Sequence, residues 1–256
     1  MITNFKLGWR KDKPDIRDFK FRLSSTKSVQ SVYLAQTYKL PSIYDQQNLG
    51  SCTANAIAFL VHFDMLNKHL GKAIGPFRPS RLFIYYFERL LEGTVTEDSG
   101  AELRDGIKVI TNNGIVSEDA WVYNEDAFAI EPTAFTQGLA SNFKALRYER
   151  LNSSSKEILV NALMLGYPIC FGMSVYESFI TDEVSVTGII PMPKSGEKLL
   201  GGHAMSIVGY SKEFDSFIVR NSWGSSWGQK GYCRIPASYL TNGTLAEDFW
   251  VVYSLT

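Results

Sequence analysis

Asn221-Ser222-Trp223-Gly224-Ser225-Ser226-Trp227-Gly228-Gln229-Lys230-Gly231-Tyr232 places a side-chain amide ahead of two tryptophans, each followed directly by glycine. A side-chain amide oxygen can accept from one imidazole nitrogen and leave the other aimed at a reacting group, the third role in a nucleophile–base–orienter triad. The tryptophans, with glycines that let backbones pack closely, could shield such a bond from water. Ordinary core aromatics after a turn-forming Asn would read the same way, so the stretch poses a question: which histidine would Asn221 orient?

The chain holds three histidines, His62, His69 and His203, and a candidate nucleophile in Gln46-Gln47-Asn48-Leu49-Gly50-Ser51-Cys52. From Cys52 to Leu70 there is neither Pro nor Gly, and Gly71 follows, the pattern of a helix with a glycine C-cap. A thiol at a helix N-terminus faces unpaired N–H groups and the positive end of the dipole, which lowers its pKa. A buried cysteine starting a core helix is the bland alternative. Along that helix His62 and His69 stand about 15 and 25 Å from Cys52 at a rise of ~1.5 Å per residue, too far to pair with it. His203 remains, in Leu200-Gly201-Gly202-His203-Ala204-Met205-Ser206-Ile207-Val208-Gly209-Tyr210, at the start of a β-like run.

Working outward, Ala54 to Val61 is apolar on nearly all sides and predicts a central buried helix. Further helices are expected over 80–92, 101–111, 133–141 and about 154–165. Aromatic and β-branched runs over 168–175, 204–210, 217–221, 232–235 and 249–253, separated by turn residues, predict strands. Segregated helices and strands imply an α+β fold with a helical half, a sheet half and a cleft between them. Residues 1–39 are charged and irregular, with Lys11-Asp12-Lys13-Pro14-Asp15 and Arg17-Asp18, and read as a leader or arm outside the main core.

Composition narrows the partners. The 256 residues are 45% hydrophobic, and 26 basic side chains balance 26 acidic ones, so no net field favours a nucleic acid or an anionic membrane. Met1 to Arg10 lacks the apolar stretch of a secretory signal and no run is long enough to span a bilayer, which makes an intracellular, reducing compartment the expectation. Three cysteines cannot build an extracellular disulfide framework, and Cys170 and Cys233, both in β-like runs, are expected as buried thiols.

Cys52, His203 and Asn221 in these surroundings resemble the papain-like cysteine peptidases. Asn221-Ser222-Trp223-Gly224 with Trp227-Gly228 and Gly231-Tyr232 is similar to that family's pattern around its catalytic Asn, and Gly202-His203-Ala204 with Val208-Gly209-Tyr210 to the pattern around its His. Gln46, six residues before Cys52, stands where the family places its oxyanion-hole glutamine, with Gln47 as the alternative. The resemblance covers residues 40–256 and implies a two-lobed fold, helical over roughly 45–140 and β-barrel-like over roughly 141–256, with the cleft between the lobes. Thr53 and Leu49 depart from the aromatic residue and cysteine common at those positions, which suggests a divergent branch with few disulfides.

The resemblance also implies a chemistry: hydrolysis of peptide bonds through a thioester, with polypeptide substrates and no metal or organic cofactor. In that reading Gly100, in Asp98-Ser99-Gly100-Ala101, contacts the substrate backbone, Ala101 and Ala204 leave room for a hydrophobic side chain at the second subsite, and Trp223 is a further substrate contact; a plain helix-start turn at Gly100 is the alternative. No spare histidine sits in a loop suited to holding a terminal carboxylate, which favours an endopeptidase. An acyl transferase or ligase using the same residues, or a non-catalytic peptide-binding homologue, stay open. Residues 1–39 are too short for a long helical inhibitory propeptide, but Gly8-Trp9 and Pro14-Asp15-Ile16-Arg17-Asp18 resemble the leader of the divergent branch. They are either a short pro-segment acting as an intramolecular inhibitor or a permanent arm.

Overall fold

The apolar run that begins at Cys52 forms helix α1, Cys52–Asn67, and it is buried on every side over its first ten residues. A helix with no polar face has to be covered all round. Here helices α2 (Arg81–Glu92) and α3 (Leu103–Asn112) cover one side and a sheet covers the other. The computed structural model describes residues 6–23, 27–67, 75–144, 147–152 and 154–253. His69 and the expected cap at Gly71 lie outside the described residues.

Local chemistry sets the helix ends. The Ser80 hydroxyl caps α2 by accepting from the Phe83 N–H at 3.1 Å, and Gly93 ends it in the left-handed conformation at φ 73°. Thr133 caps α4 (Ala134–Ala140) and Ser155 caps α5 (Lys156–Met164) in the same way. Two short helices, α6 (Asp182–Thr187) and α7 (Ala237–Leu240), fall in segments where no helix was expected. Their lengths are too small to show a period of 3.6 in sequence.

The second lobe is a seven-stranded antiparallel sheet of β4 (Arg147–Arg150), β9 (Ala246–Tyr253), β5 (Ile169–Tyr176), β6 (Leu199–Ser211), β7 (Ser216–Arg220) and β8 (Tyr232–Pro236), in that order, with β2 (Val32–Tyr33) added to β6. It is a sheet-rich lobe rather than a closed barrel, because β4 and β8 end the order and do not pair with each other. Strand β6 begins five residues earlier than its apolar pattern suggests. Gly201 and Gly202, which read as turn residues, are paired with Val175 and Ser174 of β5.

Two expectations fail at the leader. A helix beginning at Ala101 is replaced by a strand pair: β3 (Ala101–Glu102) runs parallel to β1 (Trp9–Arg10), and α3 starts only at Leu103. The Ala101 N–H donates to the Gly8 carbonyl at 2.8 Å, so the first-turn groups of the expected helix are spent on the leader. Nor does the leader lie outside the core. Leu34 is 2% exposed within the main apolar cluster, and Asp12 is buried between α3 and β9. The main apolar cluster runs from α1 through the sheet, with a smaller one around Phe83, Phe87 and Val109 in the helical half.

Candidate active site

Helix α1 packs its N-terminal end on strand β6, and that contact sets Cys52 beside the His203-Ala204 main chain. The Ala204 N–H faces the Cys52 sulfur and favours its thiolate, which puts the residue next to His203 beside the thiol. His203 Nε2 lies 2.8 Å from Asn221 Oδ1, and its other nitrogen, Nδ1, is buried with no hydrogen-bond partner. Asn221 is itself held by the Ser222 N–H, which donates to the same Oδ1 at 2.8 Å. Since an amide oxygen only accepts, Nε2 carries the proton and Nδ1 holds the lone pair in the neutral ring.

Trp223 stacks on the His203 ring at 4.6 Å between centroids and is 5% exposed. Trp227 and Phe179 close around it at 5.2 and 5.8 Å. The three rings cover the imidazole and the His203–Asn221 bond from water. Trp223, expected among substrate contacts, packs against the His203 ring.

Gln46 is fully buried, whereas Gln47 is exposed and left-handed at φ 54°. The Ser222 hydroxyl donates to Gln46 Oε1 at 2.7 Å, which fixes the amide so that Nε2 turns to the Leu49 carbonyl at 2.9 Å and the Lys6 carbonyl at 3.1 Å. Ser222 is thus a positioning residue that the sequence offered only as part of a motif. Tyr123 is another: its hydroxyl donates to the Gln46 carbonyl at 2.8 Å and is paired with Ser51 at 2.7 Å.

The leader runs through this site. Its Gly8 N–H faces the Cys52 sulfur, its Gly8 carbonyl accepts from Ala101, and its Lys6 carbonyl accepts from Gln46. Gly8 fits between the main chains of Gly50 and Gly100, where a Cβ on Gly8 would collide with the Gly50 carbonyl and one on Gly100 with the Gly8 carbonyl. Gly100, expected to contact a substrate backbone, gives the leader its clearance at Gly8, and Ala101, expected at the second subsite, donates to the Gly8 carbonyl. The Gly100 N–H is already given to the Tyr85 hydroxyl at 3.1 Å. Asp98 braces the turn, accepting from Tyr85 Oη at 2.5 Å and from the Gly50 N–H at 2.9 Å.

Burial favours the neutral forms of both Cys52 and His203. It pushes the Cys52 thiol up to about 12, against the donors from Ala204 and Gly8, and it pushes His203 down to about 4 despite the bond to Asn221. All three cysteines are free thiols and buried, with Cys170 and Cys233 in β5 and β8.

The profile of the papain family cysteine proteases matches residues 96–249. This chain belongs to that family. An uncharacterized peptidase C1-like protein of Acanthamoeba polyphaga mimivirus is 40% identical over 97% of this chain and 87% of its own length. The crystal structure of xylellain, a cysteine protease from Xylella fastidiosa, superposes with a TM-score of 0.88 at 35% identity over 100% of both chains. Digestive procathepsin L 3 of the Tenebrio molitor larval midgut shares the fold, with a TM-score of 0.69 at 21% identity over 93% of this chain and 74% of that one. The papain family member described here is thus a cysteine peptidase of α+β fold acting on polypeptides. Among its described residues no helix is long and apolar enough to cross a membrane.

Proposed function

We propose that this cysteine peptidase is an endopeptidase whose nucleophile, base and orienting residue are Cys52, His203 and Asn221, with Gln46 as the oxyanion donor. The observation that carries the reading is the 2.8 Å His203–Asn221 bond, which leaves an unpaired Nδ1 on a ring whose neighbour's N–H already rests on the Cys52 sulfur. His203 Nδ1 takes the thiol proton, and the sulfur attacks a peptide carbonyl carbon, whose oxygen takes the electron pair. Gln46 Nε2 and the Cys52 N–H, in the first turn where no helical acceptor exists, stabilise that oxyanion. Collapse breaks the C–N bond as His203 returns the proton to the leaving amine. Water, deprotonated by the same nitrogen, then cleaves the thioester and restores the thiol.

The leader serves as an intramolecular inhibitor in this reading. A peptide carbonyl, that of Lys6, already holds Gln46 Nε2, and the Gly8 N–H already faces the sulfur, so a substrate must displace residues 6–10 to reach either. The division into a leader of residues 1–39 and a peptidase unit of 40–256 follows function rather than packing, since the leader shares the core.

Incubating the full chain and its Cys52→Ala variant with a diverse peptide library tests this. Internal cleavage by the first and none by the second is expected. Efficient release of C-terminal dipeptides alone would defeat the endopeptidase reading, and amide products formed with an added amine in preference to hydrolysis would favour a ligase. Intact mass of the active species reports whether the leader is removed or merely displaced.

A further inference from the structure

Glu88 of α2 meets α1 at Thr53, the residue that follows Cys52, and the proposed mechanism makes no use of it. The Thr53 hydroxyl donates to Glu88 Oε2 at 2.9 Å. Helix α3 passes so close that a Cβ on Gly106 would collide with Glu88 Oε1. The carboxyl is therefore clamped among three helices, fully buried, and Oε1 has no hydrogen-bond partner.

Among the described residues no cation is in hydrogen-bond or ion-pair contact with it. Arg89, next on the same helix, gives its guanidinium to the carbonyls of Tyr85, Val95, Glu97 and Phe128. Arg10 of β1 pairs with Glu92, and Asp105 of α3 is held by Lys108 at 2.7 Å. With Cys52 on α1, these are the charged and titratable groups that bear on Glu88. A carboxylate here would be a buried charge with one hydroxyl to stabilise it, so the neutral acid is the favoured form. Burial pushes the group from 4.5 up to about 8, against the Thr53 hydroxyl.

The field of Glu88 reaches the sulfur. The Ala204, Gly8 and Thr53 N–H groups favour the Cys52 thiolate, whereas a charge on Glu88 opposes it. Two negative charges in one dry interior disfavour each other, so the two groups titrate as a coupled pair.

We propose that Glu88 governs the nucleophile from behind its helix: while neutral it leaves the Cys52 thiolate unopposed, and on ionising it places a buried charge behind Thr53 that limits Cys52 reactivity at alkaline pH. It acts through its field and is a positioning residue, not a catalytic one. The proposal rests on the reading of Cys52 as the nucleophile.

The test is the pH profile of Cys52 alkylation by iodoacetamide, in the full chain, for wild type, Glu88→Gln and Thr53→Val. Peptide mapping separates Cys52 from Cys170 and Cys233, and the thiolate is the form that reacts. Near pH 6 wild type and Glu88→Gln should agree within about twofold. The wild-type rate should then climb less steeply from about pH 8, and by pH 9.5 Glu88→Gln should react at least fivefold faster. Thr53→Val removes the hydroxyl that favours the charged carboxyl, so its break should move to higher pH; it also decides the matter should Glu88→Gln fail to fold. A merely structural role for Glu88 would leave the profiles parallel. Parallel profiles, or a break left in place by either substitution, overturn the proposal. Peptide hydrolysis that survives Cys52→Ala would defeat the nucleophile reading alone, because the alkylation profiles measure the thiol without turnover.

Discussion

The Gly8 N–H of the leader faces the Cys52 sulfur and favours its thiolate, so the leader lies against the proposed nucleophile itself and not merely at the rim of the groove. With water excluded, the thiol is pushed up to about 12 and the imidazole down to about 4, and proton transfer from one to the other is uphill. In the reading proposed above, displacing the leader uncovers the Cys52 sulfur, while the Trp223, Trp227 and Phe179 rings stay over the His203 imidazole. The thiol then regains water and its pKa falls back toward the ordinary range.

Alkylation of Cys52 should report this directly. At pH 7 iodoacetamide should modify the wild-type thiol slowly, and the Trp9→Ala chain at least tenfold faster, because the thiolate is the reacting form. Peptide mapping distinguishes Cys52 from Cys170 and Cys233. Equal rates in the two proteins would mean the leader does not guard the sulfur.

The two adjacent glutamines differ by a clear margin. Gln46→Ala should lower kcat by roughly 10²–10³, the usual loss for one oxyanion donor, while Gln47→Ala, at an exposed position, should stay within about twofold. Ser222→Ala should fall between them, since it frees the Gln46 amide to rotate without removing it. A larger loss for Gln47→Ala than for Gln46→Ala would reverse the assignment.

Glu88 gives the fold a pH dependence of its own. It lies fully buried in α2 and accepts from the Thr53 hydroxyl at 2.9 Å, beside the nucleophile, and its other oxygen has no partner. Burial pushes its carboxyl from 4.5 up to about 8. The folded state then holds a proton that the unfolded state releases. The associated stability is fully present below pH 4.5 and is lost as pH rises through about 8. Glu88→Gln, neutral at every pH, should gain on wild type by on the order of a few kcal/mol between pH 5 and 9. Urea denaturation at three pH values measures it, and a wild-type-to-variant difference that stays constant with pH would contradict it.

Much of this site is legible in sequence, for a physical reason. Cys52 opens a helix whose apolar character cannot be mistaken, and Asn221 sits among tryptophans whose only chemical use for a histidine falls on His203. What is not legible depends on residues meeting from far apart. Gly172, inside an expected strand, gives no sign in sequence that Trp9 lies against it. Ala101 looks like the start of a helix until Gly8 takes its N–H. A parallel pair of two residues leaves no period in the sequence, so the leader's course through the cleft could be posed as a question but not read.

Asp18 is the residue whose loss should release that leader. Arg104 of α3 donates to it from Nε at 2.9 Å and Nη2 at 2.6 Å, and Arg150 of β4 adds Nη1 at 3.0 Å, so one leader carboxylate ties both lobes. Burial pushes the Asp18 carboxyl up, but the hydrogen bonds and charges of the two arginines outweigh it and hold it below the usual carboxylate range. A depressed value means the stabilisation is present above the ordinary pKa of 3.8 and lost as pH falls below it. Asp18→Asn keeps the shape and removes the charge, at a cost on the order of 2 kcal/mol for a charge-assisted pair. That is about thirtyfold in the docked-to-open ratio if the whole cost falls on docking. Peptidase activity and Cys52 alkylation at pH 7 should each rise at least fivefold. Asp15→Asn is the control, because Asp15 pairs with Arg17 inside the leader at the surface and ties nothing to the body. A rise of equal size in both variants, or in neither, would mean that the Asp18 contacts do not hold the leader down.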